Sequence, residues 1–124
     1  MTVVHVVLFR FLPTTTLAQK SSFLREIKTL RHLPCVKDQR LIVGGPSISE
    51  PKDVSQGFEF GLVSFHKDRA GLEEYQGSLE HERVASQYIR PIKENVIRFD
   101  FEVPEEDEHL VGVLPMLGAL AGKQ

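Results

Sequence analysis

The chain holds a single cysteine, Cys35, no excess of basic charge and no long apolar run. One thiol excludes a disulfide framework within the chain, fits a reducing compartment, and leaves no second thiol for a cysteine-based metal site. Cys35 therefore reads as a buried or bystander thiol. The 15 Lys and Arg against 17 Asp and Glu give a net charge of −2, and no basic stripe is present, which argues against a nucleic-acid surface. No segment reaches the roughly 20 apolar residues that a membrane span needs. The N-terminal MTVVHVVLFRFLP is apolar, but it lacks a basic leading region, carries His5 and Arg10 inside the run, and shows no small-residue cleavage site. A soluble, cytoplasmic protein is expected.

Chemical motifs are equally sparse. The five histidines, at positions 5, 32, 66, 81 and 109, show no H-x-x-H, H-E-x-x-H or clustered Cys/His spacing. There is no G-x-S-x-G elbow and no strand-linked G-x-G-x-x-G, and Gly44-Gly45-Pro46 opens no helix. No metal and no cofactor is expected. His32 reads as a helix-end charge, His66 as a solvated residue at a strand end, and His109 as part of an acidic tail.

What is present is one domain of 124 residues, 41% hydrophobic and 26% charged, large enough for one core and near the size at which dimerisation often supplements it. Residues 3–11, VVHVVLFRF, are β-branched and aromatic and predict a strand that is apolar on both faces. His5 falls in the Val7 and Phe9 set. Thr16-Leu17-Ala18-Gln19 has the form of a capping box, and a helix over 17–31 places Leu17, Phe23, Leu24, Ile27 and Leu30 on one stripe. Residues 36–43 predict a half-exposed strand, 47–57 a polar loop, and 58–66 a third strand. A short helix over 68–76 is interrupted by Gly77, and Ser78 caps a second helical segment ending near residue 90, before Pro91. On that segment His81, Val84, Ala85, Tyr88 and Ile92 form the inward stripe. Residues 95–103 predict the last strand.

The order β-α-β-β-α-β predicts an α+β, ferredoxin-like domain over 1–103: a four-stranded antiparallel sheet with both helices on one face. Strands 1 and 3 are apolar on the side the helices leave open, so a homodimer packed sheet against sheet is expected. Residues 104–124 form an acidic, then apolar, C-terminal extension, read as flexible, as packed over a partner or a cavity mouth, or as touching a membrane surface.

His5 on strand 1 and His81 on the broken helix lie on inward stripes that must face each other, a polar spot in an apolar pocket of the kind that binds small molecules. The helix-1 stripe walls the same space with Phe23, Leu24 and Ile27. Tyr75 and His81 lie six positions apart, about 120° around an unbroken helix, so they share a cavity only if the chain breaks between them. Neutral imidazole and a phenol donor suit proton abstraction beside a carbonyl: enolisation, aldol-type closure or dehydration.

These residues carry a resemblance. V-x-H-V-V-L-F-x-F at 3–11, A-Q-K-x-x-F at 18–23, G-F-x-F-x-L-V-x-F at 57–65, Tyr75 with His81 and Val84, and the closing F-D-F at 99–101 resemble the stress-response A/B barrel (Dabb) family. The likeness implies a dimeric α+β barrel. Through the polyketide cyclases of that family, it implies a cofactor-free lyase or cyclase on a polyketide-like β-keto substrate. It assigns His81 as general base, Tyr75 as carbonyl partner and His5 as a positioning residue. Val7, Phe9, Phe23, Leu24 and Ile27 would line the pocket, with Phe60, Leu62, Val84 and Tyr88. Phe60 and Ile27 stand where those cyclases carry a histidine and a tyrosine, which implies a more apolar cavity. The rival expectations are a non-catalytic, stress-associated dimer that binds a small ligand, and a cofactor-independent monooxygenase.

Overall fold

The computed structural model describes residues 1–112. Four strands, β1 (Val3–Phe11), β2 (Leu41–Gly44), β3 (Phe60–His66) and β4 (Lys93–Glu102), form one sheet in the order β2-β3-β1-β4, with β1 and β3 at its centre. All three pairings are antiparallel. Helices α1 (Leu17–Lys28), α2 (Arg69–Gly77) and α3 (Leu79–Val84) complete the chain order, and α1 and α2 bury Phe23, Ile27, Leu72 and Tyr75 in the same core as Val3, Val7 and Phe9 of β1. This is the ferredoxin-like split βαβ arrangement.

Local chemistry sets the helix ends. The Thr16 side chain accepts from the Gln19 amide while the Gln19 side chain accepts from the Thr16 amide, so the capping box is formed in full. The helix gives way to a tighter 3-10 turn over Thr29–His32, and Leu17 is 81% exposed rather than part of the inward stripe. The second strand is also shorter than expected. A 3-10 turn over Lys37–Gln39, with Asp38 and Gln39 in the left-handed region, replaces its first half.

The break between α2 and α3 is made by Ser78 rather than Gly77, which ends α2 in open space. Ser78 has extended dihedrals (φ −71, ψ 148). It closes α2 by donating its amide to the Tyr75 carbonyl and opens α3 by accepting the His81 amide on its hydroxyl, at 3.0 Å. After α3 the chain widens into a π turn over Ala85–Ile89, closed by a bond from the Arg90 amide to the Ala85 carbonyl.

Among the described residues, much of the sheet face opposite the helices is exposed. Cross-strand rows Ile42–Val63–Val6–Phe99 and Phe65–Val4–Phe101 run across it, with Leu8 and Ile97 beside them. Ile42 is 69% and Phe99 64% exposed. No described helix is long and apolar enough to cross a membrane. The acidic segment after the sheet forms a 3-10 turn over Glu105–Leu110, and Glu108 accepts from both the amide and the hydroxyl of Thr2. Arg40 donates to the carbonyls of Val111 and Gly112. Most of the apolar stretch expected over 110–122 lies outside the described residues.

Candidate active site

Strand register builds the floor of the site. His5 on β1 lies opposite Ser64 on β3 and Asp100 on β4, so all three side chains project to the helix face in one row. The next row is Leu62–Val7–Arg98, and the row beyond His5 on the other side is His66–Val3–Glu102. His5 Nδ1 meets the Asp100 carboxylate at 2.5 Å, and the other Asp100 oxygen pairs with Arg98 Nε at 2.9 Å. A carboxylate only accepts, so Nδ1 carries the hydrogen and Nε2 is left as the basic nitrogen.

The broken helix supplies the facing wall. The Tyr75 ring lies 5.8 Å from His5, 4.9 Å from His66 and 4.9 Å from His81, centroid to centroid. Three imidazoles thus surround one phenol. His81 reaches Tyr75 because Ser78 resets the helix between them.

His66 corrects the expectation of a solvated histidine. It is fully buried, donates from Nδ1 to the Cys35 carbonyl at 2.7 Å, and receives the Ser64 hydroxyl on Nε2 at 2.8 Å. Both ring nitrogens are occupied, so His66 props Tyr75 and the 33–36 loop. Strand parity was the available signal: His66 shares the inward set of Phe60, Leu62 and Ser64. Asp100 was likewise marked only by the alternation of Arg98, Asp100 and Glu102. Exposed His32 and His109 lie apart from the cavity.

The cavity itself encloses about 380 Å³, within the range of small-molecule sites. His5, Tyr75 and His81 line it together with Val7, Phe9, Ile27 and Leu62. Five residues expected there do not line it. Phe23 and Phe60 pack with Phe9 and Phe11 in an aromatic cluster of three edge-on contacts and one tilted one. Leu24 lies at the edge of the core, and Val84 is buried within it. Tyr88 faces a separate groove beside Ala18, Ser22 and Ile92. The π turn is the reason for the last: its extra residue per turn rotates Tyr88 away and brings Ile89 to the cavity in its place. Leu30, Gln76, Glu82, Ala85, Arg90, Lys93, Val96 and Arg98 complete the lining.

Burial sets the protonation states. It pushes the pKa values of His5, His66 and His81 below the ordinary imidazole value; Asp100 opposes this at His5, the Cys35 carbonyl at His66 and Glu82 at His81. For His81, the neighbouring His5, Arg90 and Arg98 reinforce the shift. Burial also drives the Tyr75 phenol strongly upward, so it stays a protonated donor. The Cys35 thiol is pushed up by burial too, which makes it a poor nucleophile. Among the described residues no group of three His, Cys, Asp or Glu side chains is placed to hold a metal.

The model of the stress responsive A/B barrel domain matches residues 3–103. The chain belongs to the Dabb family. Among solved structures this Dabb domain is similar to the hydroxynitrile lyase from Passiflora edulis, with TM-score 0.72, 18% identity, and coverage of 84% of this chain and 94% of that one. It is similar also to a dimeric ferredoxin-like protein of unknown function from Thermobifida fusca (TM-score 0.70, 20% identity, 83% and 92% covered). A Dabb family protein from Mesorhizobium loti matches with TM-score 0.67 and 21% identity over 83% and 96% of the two chains. No curated protein matches the Dabb chain.

The depressed histidines give the fold an acid-side weakness. They stay neutral in the fold but protonate in the unfolded chain, so below pH about 6.5 the unfolded state binds more protons. Their stabilising contribution is complete above that pH and is lost as pH falls towards the folded pKa values. Urea midpoints measured from pH about 7.5 down to about 5.5 should decline steadily; a midpoint that holds constant or rises would contradict these directions.

Proposed function

We propose that this Dabb domain is a cofactor-free enzyme that makes or breaks a C–C bond beside a carbonyl of a small apolar compound, with a polyketide-like β-keto compound as substrate. The observation that carries the reading is the convergence of neutral His81, neutral His5 and protonated Tyr75 on one apolar cavity. His81 is half-buried at the cavity, whereas His5 is 3% exposed on its floor. His81 is therefore the base that reaches substrate, and His5, oriented by Asp100, polarises and positions.

The step balances without an added reagent. The Cα proton passes to the His81 imidazole, and the C–H electron pair moves onto the carbonyl oxygen, which accepts the Tyr75 hydroxyl hydrogen bond. The enolate carbon attacks a second carbonyl to form the new bond, and the resulting alkoxide recovers the proton from His81. Run backwards, the same groups serve a lyase, which is the direction the Passiflora edulis likeness brings to mind. A rival reading, a dimer that binds a ligand without turnover, draws on His5 and His66 already having protein partners for their ring nitrogens.

The reading also makes the working unit a homodimer, supported by the exposed apolar side chains Ile42, Ile97, Phe99 and Phe101 on the sheet and by relatives described as dimeric. Sheet-on-sheet packing would bury Phe99, Phe101, Ile97 and Ile42.

Two outcomes test this. With a 3-oxo thioester substrate, His81→Ala should lower kcat by roughly 10²-fold or more with the fold retained, and wild-type kcat/KM should rise with pH to a plateau, its midpoint below about 6.5. Unchanged turnover in His81→Ala would remove the base assignment. In sedimentation velocity the wild type should run as a dimer and Phe99→Glu as a monomer; a monomeric wild type at micromolar concentration refutes the sheet-to-sheet unit.

A further inference from the structure

The cavity is apolar within and basic at one side. Val7, Phe9, Ile27, Leu30 and Leu62 form its interior, while Arg90 and Lys93 line the side where the π turn runs into β4 and Arg98 stands beside Val7 on the sheet. Three cations on one small cavity are out of proportion in a chain whose net charge is −2.

Their partners differ. Arg90 donates from both terminal nitrogens to the Glu82 carboxylate, at 2.7 and 2.9 Å, and Glu82 itself lines the cavity. Arg98 pairs with Asp100, which also holds His5. Lys93 is exposed and has no carboxylate partner among the described residues. Counting Glu82 and Asp100 against the three cations leaves one positive charge at the mouth of an apolar chamber. A neutral ligand would leave that charge unused.

We infer that the cavity takes an amphipathic carboxylate, its apolar body against Val7, Ile27 and Leu62 and its carboxylate at Lys93, beside the Glu82-paired Arg90. This rests on the reading of the cavity as a small-molecule site, and it adds to that substrate a free carboxylate at the end away from the reacting carbonyl. Arg–carboxylate geometry is planar and two-pronged, and Lys supplies a mobile point charge. Arg90 spends both terminal nitrogens on Glu82, so it lends its charge to the site and leaves Lys93 as the direct partner of the ligand. The carboxylate also fixes which end of the substrate enters first, so the carbonyl-bearing portion is carried inward towards Tyr75 and His81.

The test uses a matched pair of probes, 4-phenylbutanoate and 4-phenylbutanamide, titrated calorimetrically into the full chain. The acid should bind roughly tenfold more tightly than the amide at low salt, and the difference should shrink as ionic strength rises. Lys93→Gln with Arg90→Gln should bring the affinity for the acid down to that for the amide. Glu82→Gln should increase acid affinity, an outcome that a purely structural role for the Glu82–Arg90 pair does not produce. Equal affinities for acid and amide, or a preference that survives the double substitution, overturn the inference and leave the cavity reading intact. Binding of neither probe overturns both.

Discussion

The bond between His5 and Asp100 is the constraint on which the site depends. An imidazole can be buried in the middle of a sheet only if its polar nitrogens are answered, and the answer here comes from the edge strand. Because β1 and β4 are in register over nearly their whole length, Asp100 cannot move without shifting Arg98 and Val96 along with it. The bond therefore does two things at once. It fixes the His5 tautomer, and it couples the position of the basic cavity wall to the floor of the site.

On the helix side the corresponding device is Ser78. One extended residue turns a helix that would have separated Tyr75 and His81 into two short helices that present both rings to the same space. The π turn that follows changes phase a second time and replaces a phenol, Tyr88, with the apolar Ile89 at the cavity. Tyr75 and the imidazoles around it thus stand at one end of an aliphatic interior, and Arg90 and Lys93 line another side. Desolvation then does the electrostatic work, holding the histidines neutral and the tyrosine protonated.

Much of this was legible in the sequence, and the division follows the range of the interactions. The capping box at Thr16 and Gln19, the cap at Ser78 and the inward phase of His81 rest on residues a few positions apart, and all three formed as expected. The ferredoxin-like order was readable from the alternation of strand and helix patterns. The roles of Asp100 and His66 depend on pairings 95 and 31 residues away along the chain, which no local pattern reports. The short β2 reflects left-handed dihedrals at Asp38 and Gln39, residues without the glycine that would have flagged a turn. Phe23 and Phe60 satisfied every criterion for a cavity wall but found closer partners in one another and in Phe9 and Phe11. The misplacement of Tyr88 traces to a π turn that has no sequence signature.

The central claim is that His5 and His81 face the cavity as neutral rings, with His5 held in a single tautomer by Asp100. Long-range proton–nitrogen NMR correlation spectra of the imidazoles, followed through a pH titration, measure this directly. Near neutral pH His5 should be protonated on Nδ1 alone, His81 should be neutral, and both should titrate below the ordinary imidazole value of about 6.5. An Nε2-protonated His5, or midpoints at or above that value, would contradict it.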